Sequence, residues 1–276
     1  MKMLLRSLIV GLALAARVGV IAPVLVLAVS TATVSPAYAV GDLALVGARG
    51  TGGAATCTTT AGAVSAGDTI LVVTSFDPTA TINSIPLSGS GSDTLTIVGS
   101  VVQGQGKLAL YAKENATGGA SVSVTVNYSV NAFPTCHLFK GTGVSAASID
   151  TGSLVANASD TATPWTITSN SFAQANNIVL SCAEINSGSS GAYASSNFTV
   201  LSSEPDVSSF WTSGCAKLYV TATTAVTPSW TRTNSSNAAA ALLVIGLKEA
   251  GGGGGGTVCN PLSGRCGAAA PPVTLH

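Results

Sequence analysis

The chain has 276 residues, of which 8% are charged, 46% are apolar and 5% are aromatic, and its formal net charge is zero. A typical globular protein has about 25% charged residues, and a nucleic-acid-binding protein needs a basic surface that this chain lacks. The two histidines, His137 and His276, offer little to histidine-based catalysis or to a zinc site. The composition therefore excludes nucleic acid as an expected partner and calls for no metal or other cofactor.

Residues 1–39 have the pattern of a bacterial secretory signal peptide. Three basic residues precede the apolar run Val18–Val29, and the segment ends on the Ala-Tyr-Ala sequence of Ala37–Ala39, which is typical of a cleavage site. We expect a mature chain that begins near Val40 and is secreted or held at the cell surface. A membrane anchor is the alternative, because a longer apolar stretch could cross a bilayer, but that stretch would contain Arg17.

The rest of the chain divides at a run of glycines. Residues 40–249 have the composition of one globular domain, and the linker at 250–256 contains six consecutive glycines. A glycine run of this kind forms a flexible coil. Residues 257–276 then form a short tail that is rich in small residues and proline.

Six cysteines in an exported chain favour disulfides over a metal site. In the tail, Cys259 and Cys266 flank the turn dipeptides Asn-Pro and Ser-Gly, so we expect these two cysteines to pair with each other. A second expected pair is Cys182 with Cys215, because both lie in predicted strands of the second half.

The domain is predicted to be all-β. Between Ser121 and Val130, Val122, Val124 and Val126 alternate with polar residues, which is the period of a half-buried strand. Similar runs rich in β-branched or apolar residues lie at Asp68–Thr74, Leu95–Val102, Lys107–Lys113 and Ala238–Lys248. Turn residues separate the runs at fairly regular spacing, so we predict an antiparallel β-sandwich of jelly-roll or Ig-like type.

The sequence also suggests a duplication inside the domain. The segment that begins at Asp68 is similar to one that begins at Asn176, and an offset of 108 aligns Ile70 with Ile178 and Tyr111 with Tyr219. Two halves that cannot each bury a sheet alone are expected to share one core.

Exposed aromatic side chains on sandwich loops can stack on sugar rings. Phe210 and Trp211 lie in a Ser/Gly-rich turn just before a predicted strand, and Tyr193 lies in another Ser/Gly loop. These three residues are the candidate ligand-binding residues, with a glycan or cell-surface polymer as the expected partner. The alternative for Trp211 is a side chain that folds back and caps the sandwich. Trp165 and Trp230, in Thr-rich strands, are expected in the core or on a sheet face.

The chain has no sequence pattern that predicts catalysis. Asp150–Ser153 spells the Asp-Thr-Gly-Ser motif of aspartic proteases, but those enzymes need a second such aspartate, so we interpret the motif as a turn between the halves. Acids for glycoside cleavage would be Glu184, Glu204 or Asp206. His137 is expected to be packed and hydrogen-bonded, because its neighbour Cys136 would face the opposite side of a strand.

The segments GDTILVV, KLALYAKENATGGASVSVTV, FKGTG and NNIVLS of residues 40–249 resemble uncharacterised secreted β-sandwich proteins of bacterial and phage-associated origin. The resemblance implies fold and surface exposure, and it transfers no catalytic residue. We therefore expect an exported, non-enzymatic binding or structural module with glycans as a candidate ligand. The alternatives are a secreted polysaccharide hydrolase and a phage virion or fibre component.

Overall fold

A computed structural model describes residues 41–104, 106–159, 163–186, 192–205, 211–233, 239–250, 257–260 and 265–268. For residues 186, 204, 205, 211, 257–260 and 265–268 it describes the backbone.

The first half of the domain contributes ten strands to the described residues. They are β1 (Asp42–Gly50), β2 (Thr56–Thr58), β3 (Gly62–Val64), β4 (Thr69–Phe76), β5 (Ile82–Ser84), β6 (Leu87–Ser88), β7 (Thr96–Gln103), β8 (Gly106–Lys113), β9 (Gly119–Tyr128) and β10 (Thr135–Thr142).

The second half contributes eight strands, and the tail has two. They are β11 (Val144–Ser159), β12 (Trp165–Thr166), β13 (Asn177–Asn186), β14 (Tyr193–Ser195), β15 (Thr199–Pro205), β16 (Trp211–Val220), β17 (Ser229–Arg232), β18 (Ala240–Glu249), β19 (Thr257–Asn260) and β20 (Arg265–Ala268). The described residues contain no helix, so the all-β prediction is confirmed.

Two five-stranded antiparallel sheets form the centre of the domain. Sheet 1 has the strand order β1-β10-β4-β8-β7, and sheet 2 has the order β11-β18-β13-β16-β15. The two sheets bury one apolar cluster between them, the inner core, to which sheet 1 contributes Leu71, Leu110 and Phe139 and sheet 2 contributes Leu180 and Ile245. This packing is the predicted sandwich with a core shared by both halves.

A smaller layer of strands covers the other face of each central sheet. In the first half, β9 pairs with β2, β3, β5 and β6, and together they enclose the first outer core against sheet 1. Val122, Val124 and Val126 of β9 are all fully buried there, as their alternation predicts. In the second half, β17 pairs with β12 and β14 over the second outer core, where Trp165 and Trp230 are fully buried.

The two halves repeat the same topology. The strand order across sheet 1, β1-β10-β4-β8-β7, matches position by position the order across sheet 2, β11-β18-β13-β16-β15. The long outer strand β9 corresponds in the same way to β17. The predicted duplication therefore holds at the level of strand order.

The predicted register of this duplication is wrong by one residue. Ser75 pairs with Leu108 between β4 and β8, and Cys182 pairs with Cys215 between β13 and β16, so the offset in these strands is 107 rather than 108. A one-residue slip moves a side chain to the opposite face of a strand. Ile70 accordingly lies in the first outer core, whereas Ile178 lies in the inner core.

Two disulfides lie in the described part of the chain. The predicted Cys182–Cys215 bond is confirmed and joins the neighbouring strands β13 and β16. The other bond, Cys57–Cys136, joins outer strand β2 to sheet 1 and was not among the predicted pairs. In the tail, Cys259 and Cys266 occupy opposite positions of the β19–β20 pair, but their side chains lie outside the described residues, and their disulfide stays a prediction.

Both disulfides are of the kind found in chains that fold in an oxidising compartment. No helix in the described part of the chain is long and apolar enough to cross a bilayer. The predicted signal peptide lies outside the described residues.

Candidate functional site

The three predicted ligand-binding aromatic residues lie in different surroundings, and the structure describes them to different extents. Phe210 lies outside the described residues, and the backbone places Trp211 as the first residue of β16, opposite Asn186. The backbone of Trp211 therefore lies in strand β16 rather than in the turn predicted just before it. The side chain of Trp211 lies outside the described residues, so its role as a ligand platform stays a prediction.

Tyr193 is not an exposed loop residue as predicted. It begins β14 and is 4% exposed, and its hydroxyl donates to the carbonyl oxygen of Thr212 at 2.8 Å. The ring meets Trp230 edge to face, with ring centres 6.0 Å apart. Gly214 makes this packing possible, because a Cβ atom there would lie 2.6 Å from the tyrosine ring. Tyr193 therefore belongs to the second outer core.

A chain of buried hydrogen bonds crosses the inner core between the two sheets. Nε2 of His137 lies 2.6 Å from Oγ of Ser213, and Nδ1 lies 2.7 Å from Oγ of Ser202. The Thr135 hydroxyl continues the chain, 2.5 Å from Ser213 and 2.6 Å from Oγ of Ser75. All five side chains are buried, so these polar groups find partners across the sandwich.

This Ser–His arrangement lacks the access that a catalytic dyad needs. His137 is fully buried, and burial lowers its pKa to about 3, so the ring is neutral at physiological pH. A neutral ring donates through one nitrogen and accepts through the other, which suits two serine hydroxyls. The prediction of a packed, hydrogen-bonded histidine is confirmed, and Cys136 faces the opposite side of β10 in its disulfide with Cys57.

The candidate glycosidase acids do not form a described pair. Glu184 of β13 is 1% exposed, and its carboxyl lies against Gly106 of sheet 1, where an added Cβ would be 2.2 Å from Oε1. Burial raises the pKa of Glu184 to about 8, and within the described residues its Oε1 has no hydrogen-bond partner. Asp206 and the side chain of Glu204 lie outside the described residues.

The Asp-Thr-Gly-Ser segment lies in a strand rather than in the predicted turn. Strand β11 shifts its register with β18 between Asp150 and Val155, so the segment forms a bulge. Oδ2 of Asp150 accepts from the backbone N–H of Ala173 at 2.7 Å, and the Ser153 hydroxyl donates to the carbonyl of Asp150 at 2.7 Å. These bonds give the aspartate a structural role at the bulge.

Among the described residues, Tyr219, near the end of β16, is an exposed tyrosine. Its side chain is 44% exposed, and its hydroxyl donates to Oδ1 of Asp42, at the start of β1. Lys217 donates to the same Oδ1 and to the carbonyl of Leu43, the latter at 2.8 Å, and its ammonium lies 5.5 Å from the centre of the tyrosine ring. We call Asp42, Lys217 and Tyr219 the β1–β16 cluster.

Both charges of the β1–β16 cluster are stabilised by their neighbours. Partial burial alone would raise the pKa of Asp42, but the hydrogen bonds from Lys217 and Tyr219 and the Lys217 charge outweigh it, so the pKa is lowered. Burial would likewise lower the pKa of Lys217, but the hydrogen bonds to Asp42 and Tyr219 raise it. Burial and the bond to Asp42 raise the pKa of Tyr219. At neutral pH the cluster therefore pairs a carboxylate with an ammonium beside a neutral phenol.

The sequence analysis did not predict this cluster, because the predicted offset of 108 between the halves is one residue too large. With the 108 offset, Tyr219 matches Tyr111, which packs half-buried against the first outer core. With the observed offset of 107, Lys217 and Tyr219 occupy the inner-face positions of Leu110 and Ala112. A charged residue and a phenol at two successive inner-face positions signal that the strand is leaving the core, and that signal was present in the sequence.

A second surface feature is a shallow cleft of about 420 Å³ beside β7 and β11. Its lining combines hydroxyl groups with an acid and a base, namely Thr94, Thr96, Lys113, Glu114 and Thr151. Glu114 is engaged by the backbone N–H of Ile149 at 2.6 Å, and Lys113 lies 3.8 Å from Asp93. No aromatic residue lines the cleft, so it suits a stacked sugar less well than the β1–β16 cluster.

Comparisons with known protein families, curated proteins and solved structures found no match for this chain. Among the described residues, no three His, Cys, Asp or Glu side chains lie close enough together to hold a metal ion.

Proposed function

We propose that the protein is an exported, non-enzymatic binding module of the cell surface or the extracellular medium, and that it binds glycans at the β1–β16 cluster. The observation that carries the proposal is the exposed ring of Tyr219, fixed by its hydrogen bond to Asp42. An aromatic ring held in one orientation can stack on a sugar with little loss of conformational entropy.

The polar groups around the ring support the same ligand class. Lys217 occupies one face of the tyrosine ring, so a sugar ring stacks on the other face. The Asp42 side chain is 49% exposed, and its carboxylate can accept hydrogen bonds from sugar hydroxyls at the edge of the platform. Because the two charges of the cluster cancel, we expect neutral glycans rather than strongly acidic ones to bind.

Cleavage of a polysaccharide is the alternative function. A glycosidase needs two carboxyl groups about 5–10 Å apart on either side of the bond. Glu184 has the raised pKa of a general acid but is enclosed between the sheets, where no glycan chain can reach it. Its burial favours binding over hydrolysis. A virion component is the other alternative, and the predicted signal peptide argues against it.

A glycan array tests the proposal, with the purified protein, Tyr219→Ala and Tyr111→Ala applied in parallel. We expect the wild type to bind neutral glycans, Tyr219→Ala to lose that binding, and Tyr111→Ala, which changes the half-buried tyrosine of the first half, to keep it. Binding with release of reducing sugar would instead indicate the hydrolase, and absence of binding to every neutral glycan would contradict the proposal.

Trp211 and Phe210 are a second predicted platform, and Trp211→Ala separates the two sites. If Trp211 stacks on the glycan, this change abolishes binding and barely alters stability. If it caps the sandwich, the change costs about 3–5 kcal/mol, and the melting temperature falls by about 10 °C.

A further inference from the structure

Strand β7 (Thr96–Gln103) forms one edge of sheet 1. One side of the strand pairs with β8, and no described strand pairs with the other side. An edge of this kind presents backbone N–H and C=O groups in a row, ready to pair with another strand.

The edge at β7 differs from the other edges of the central sheets in its lack of charge. Its sequence, TIVGSVVQ, contains no charged residue and no proline. The remaining edge strands each contain at least one charged residue: β1 has Asp42 and Arg49, β11 has Asp150, and β15 has Glu204. Charges and prolines at sheet edges are the usual protection against unwanted pairing, and β7 lacks both.

Exposed apolar side chains lie on one face of β7. Ile97 is 59% exposed and Val102 is 51% exposed. They pair with Tyr111 and Lys107 of β8, whose side chains lie on the outer face of sheet 1. Val98 and Val101, by contrast, pack against the inner core.

The sequence of this edge is complementary to itself. In an antiparallel pair of β7 strands centred on Ser100, with Val98 as the extra residue of the bulge, Ile97 of one copy lies opposite Val102 of the other, and Gly99 lies opposite Val101. Both matches join residues of the same face, because Ile97 and Val102 pair with outer-face residues of β8 and Gly99 and Val101 pair with Leu110 and Leu108 of the inner core. Cross-strand pairs of β-branched residues stabilise antiparallel sheets.

We propose that β7 pairs antiparallel with β7 of a second copy of this chain, so that the two copies of sheet 1 form one continuous ten-stranded sheet. The pairing has two-fold symmetry and closes on itself, as expected for a homodimer. A second copy is the occupant because the edge offers no charge to a charged partner, whereas its apolar pairs match each other. The proposal does not depend on glycan binding.

Sedimentation velocity of the purified protein over a concentration series tests the dimer. We expect a reversible monomer–dimer equilibrium that Val102→Lys weakens by about ten-fold or more in Kd, because each dimer contains the Ile97–Val102 pair twice. The matched control is Val130→Lys, at a residue that is 49% exposed and lies outside β7. The control should leave Kd unchanged, and both variants should melt within about 2 °C of the wild type. A wild type that stays monomeric at every concentration, or equal Kd values for wild type and Val102→Lys, would overturn the proposal.

Cysteine pairing tests the register. A mixture of Ile97→Cys and Val102→Cys chains should form a covalent dimer on mild oxidation, because positions 97 and 102 face each other across the two-fold axis. Either variant alone should not, since Val98 is bulged and identical positions therefore lie four paired positions apart along the strands, roughly 14 Å, beyond the reach of a disulfide. Cross-linking of either variant alone to the same extent as the mixture, or no cross-linking of the mixture, would show that the dimer does not form through this register.

Discussion

The two halves of the domain share one strand order but use different side chains at equivalent positions. On the inner face of β8, Leu108, Leu110 and Ala112 fill the shared core. The equivalent positions of β16 hold Cys215 in a disulfide, then Lys217 and Tyr219 in a surface cluster with Asp42. One strand order can therefore either close the core or carry a strand out of it to form a surface cluster of polar side chains.

The outer cores differ in their aromatic content. Among the described residues, the first outer core buries two aromatic side chains, Phe76 and Tyr128, beside the valines of β9. The second buries five aromatic side chains, and its sheet residue Gly214 makes room for one of these rings. The five are Trp165, Phe172, Tyr193, Phe198 and Trp230. Removing one side chain should therefore cost more in the second half than in the first.

The largest expected loss of stability comes from removing a disulfide, of which each half has one in the described part of the chain. The Cys57–Cys136 bond joins residues 79 apart in sequence, and the Cys182–Cys215 bond joins residues 33 apart. If loop entropy dominates, replacing the first pair by alanine costs about 4.5 kcal/mol and replacing the second about 3.7 kcal/mol. Urea unfolding of the two double variants measures both values. A clearly larger loss for Cys182→Ala/Cys215→Ala would show that packing at that bond, rather than loop closure, sets its contribution.

The comparison of the outer cores is tested by one substitution in each half. Trp230→Ala removes a fully buried indole whose N–H donates to Oγ of Ser181 at 3.0 Å, and it should cost about 3–5 kcal/mol. Val124→Ala removes a much smaller buried group and should cost about 2 kcal/mol. Thermal melting of the two variants gives the difference, and equal losses would contradict the contrast between the two outer cores.

The strands themselves could be predicted because their signals are local. The alternation of apolar and polar residues in β9 and the apolar runs at β4, β8 and β18 identify strands without any information on distant parts of the chain. The register between the two halves could not be predicted. The sequence is so rich in Val and Ala that offsets of 107 and 108 both align apolar residues with apolar residues. The burial of Tyr193 depends on Gly214, 21 residues later, and no local pattern shows that contact. The β1–β16 cluster likewise joins Asp42 to residues 175 and 177 positions away.

The stability of the domain should depend on pH, because the first half buries His137 and the second half buries Glu184 between the sheets. Burial lowers the pKa of His137 from 6.5 to about 3, so its contribution to stability is lost as the pH falls from 6.5 towards 3. Burial raises the pKa of Glu184 from 4.5 to about 8, so its contribution is lost as the pH rises from 4.5 towards 8. Each slope is at most about 1.4 kcal/mol per pH unit, and the two cancel between pH 4.5 and 6.5.

Melting temperatures should therefore show a plateau between about pH 4.5 and 6.5, with a fall on both sides. Glu184→Gln should remove the fall above pH 6.5 and keep the one below pH 4.5, and His137→Gln should do the reverse. Melts of the wild type and both variants across this range test the assignment. If the alkaline fall of Glu184→Gln is as steep as that of the wild type, Glu184 is not its cause.

We propose that β16 of the second half carries a sugar platform at positions where β8 of the first half packs into the core. Isothermal titration with a glycan that the wild type binds tests it most directly, using Tyr219→Ala, Tyr219→Phe and Tyr111→Ala. We predict that Tyr219→Ala abolishes binding with a change in melting temperature below about 2 °C. Tyr219→Phe should retain part of the affinity because it keeps the ring, and Tyr111→Ala should bind like the wild type. Binding by Tyr219→Ala with wild-type affinity would show that the Tyr219 ring is not a sugar platform.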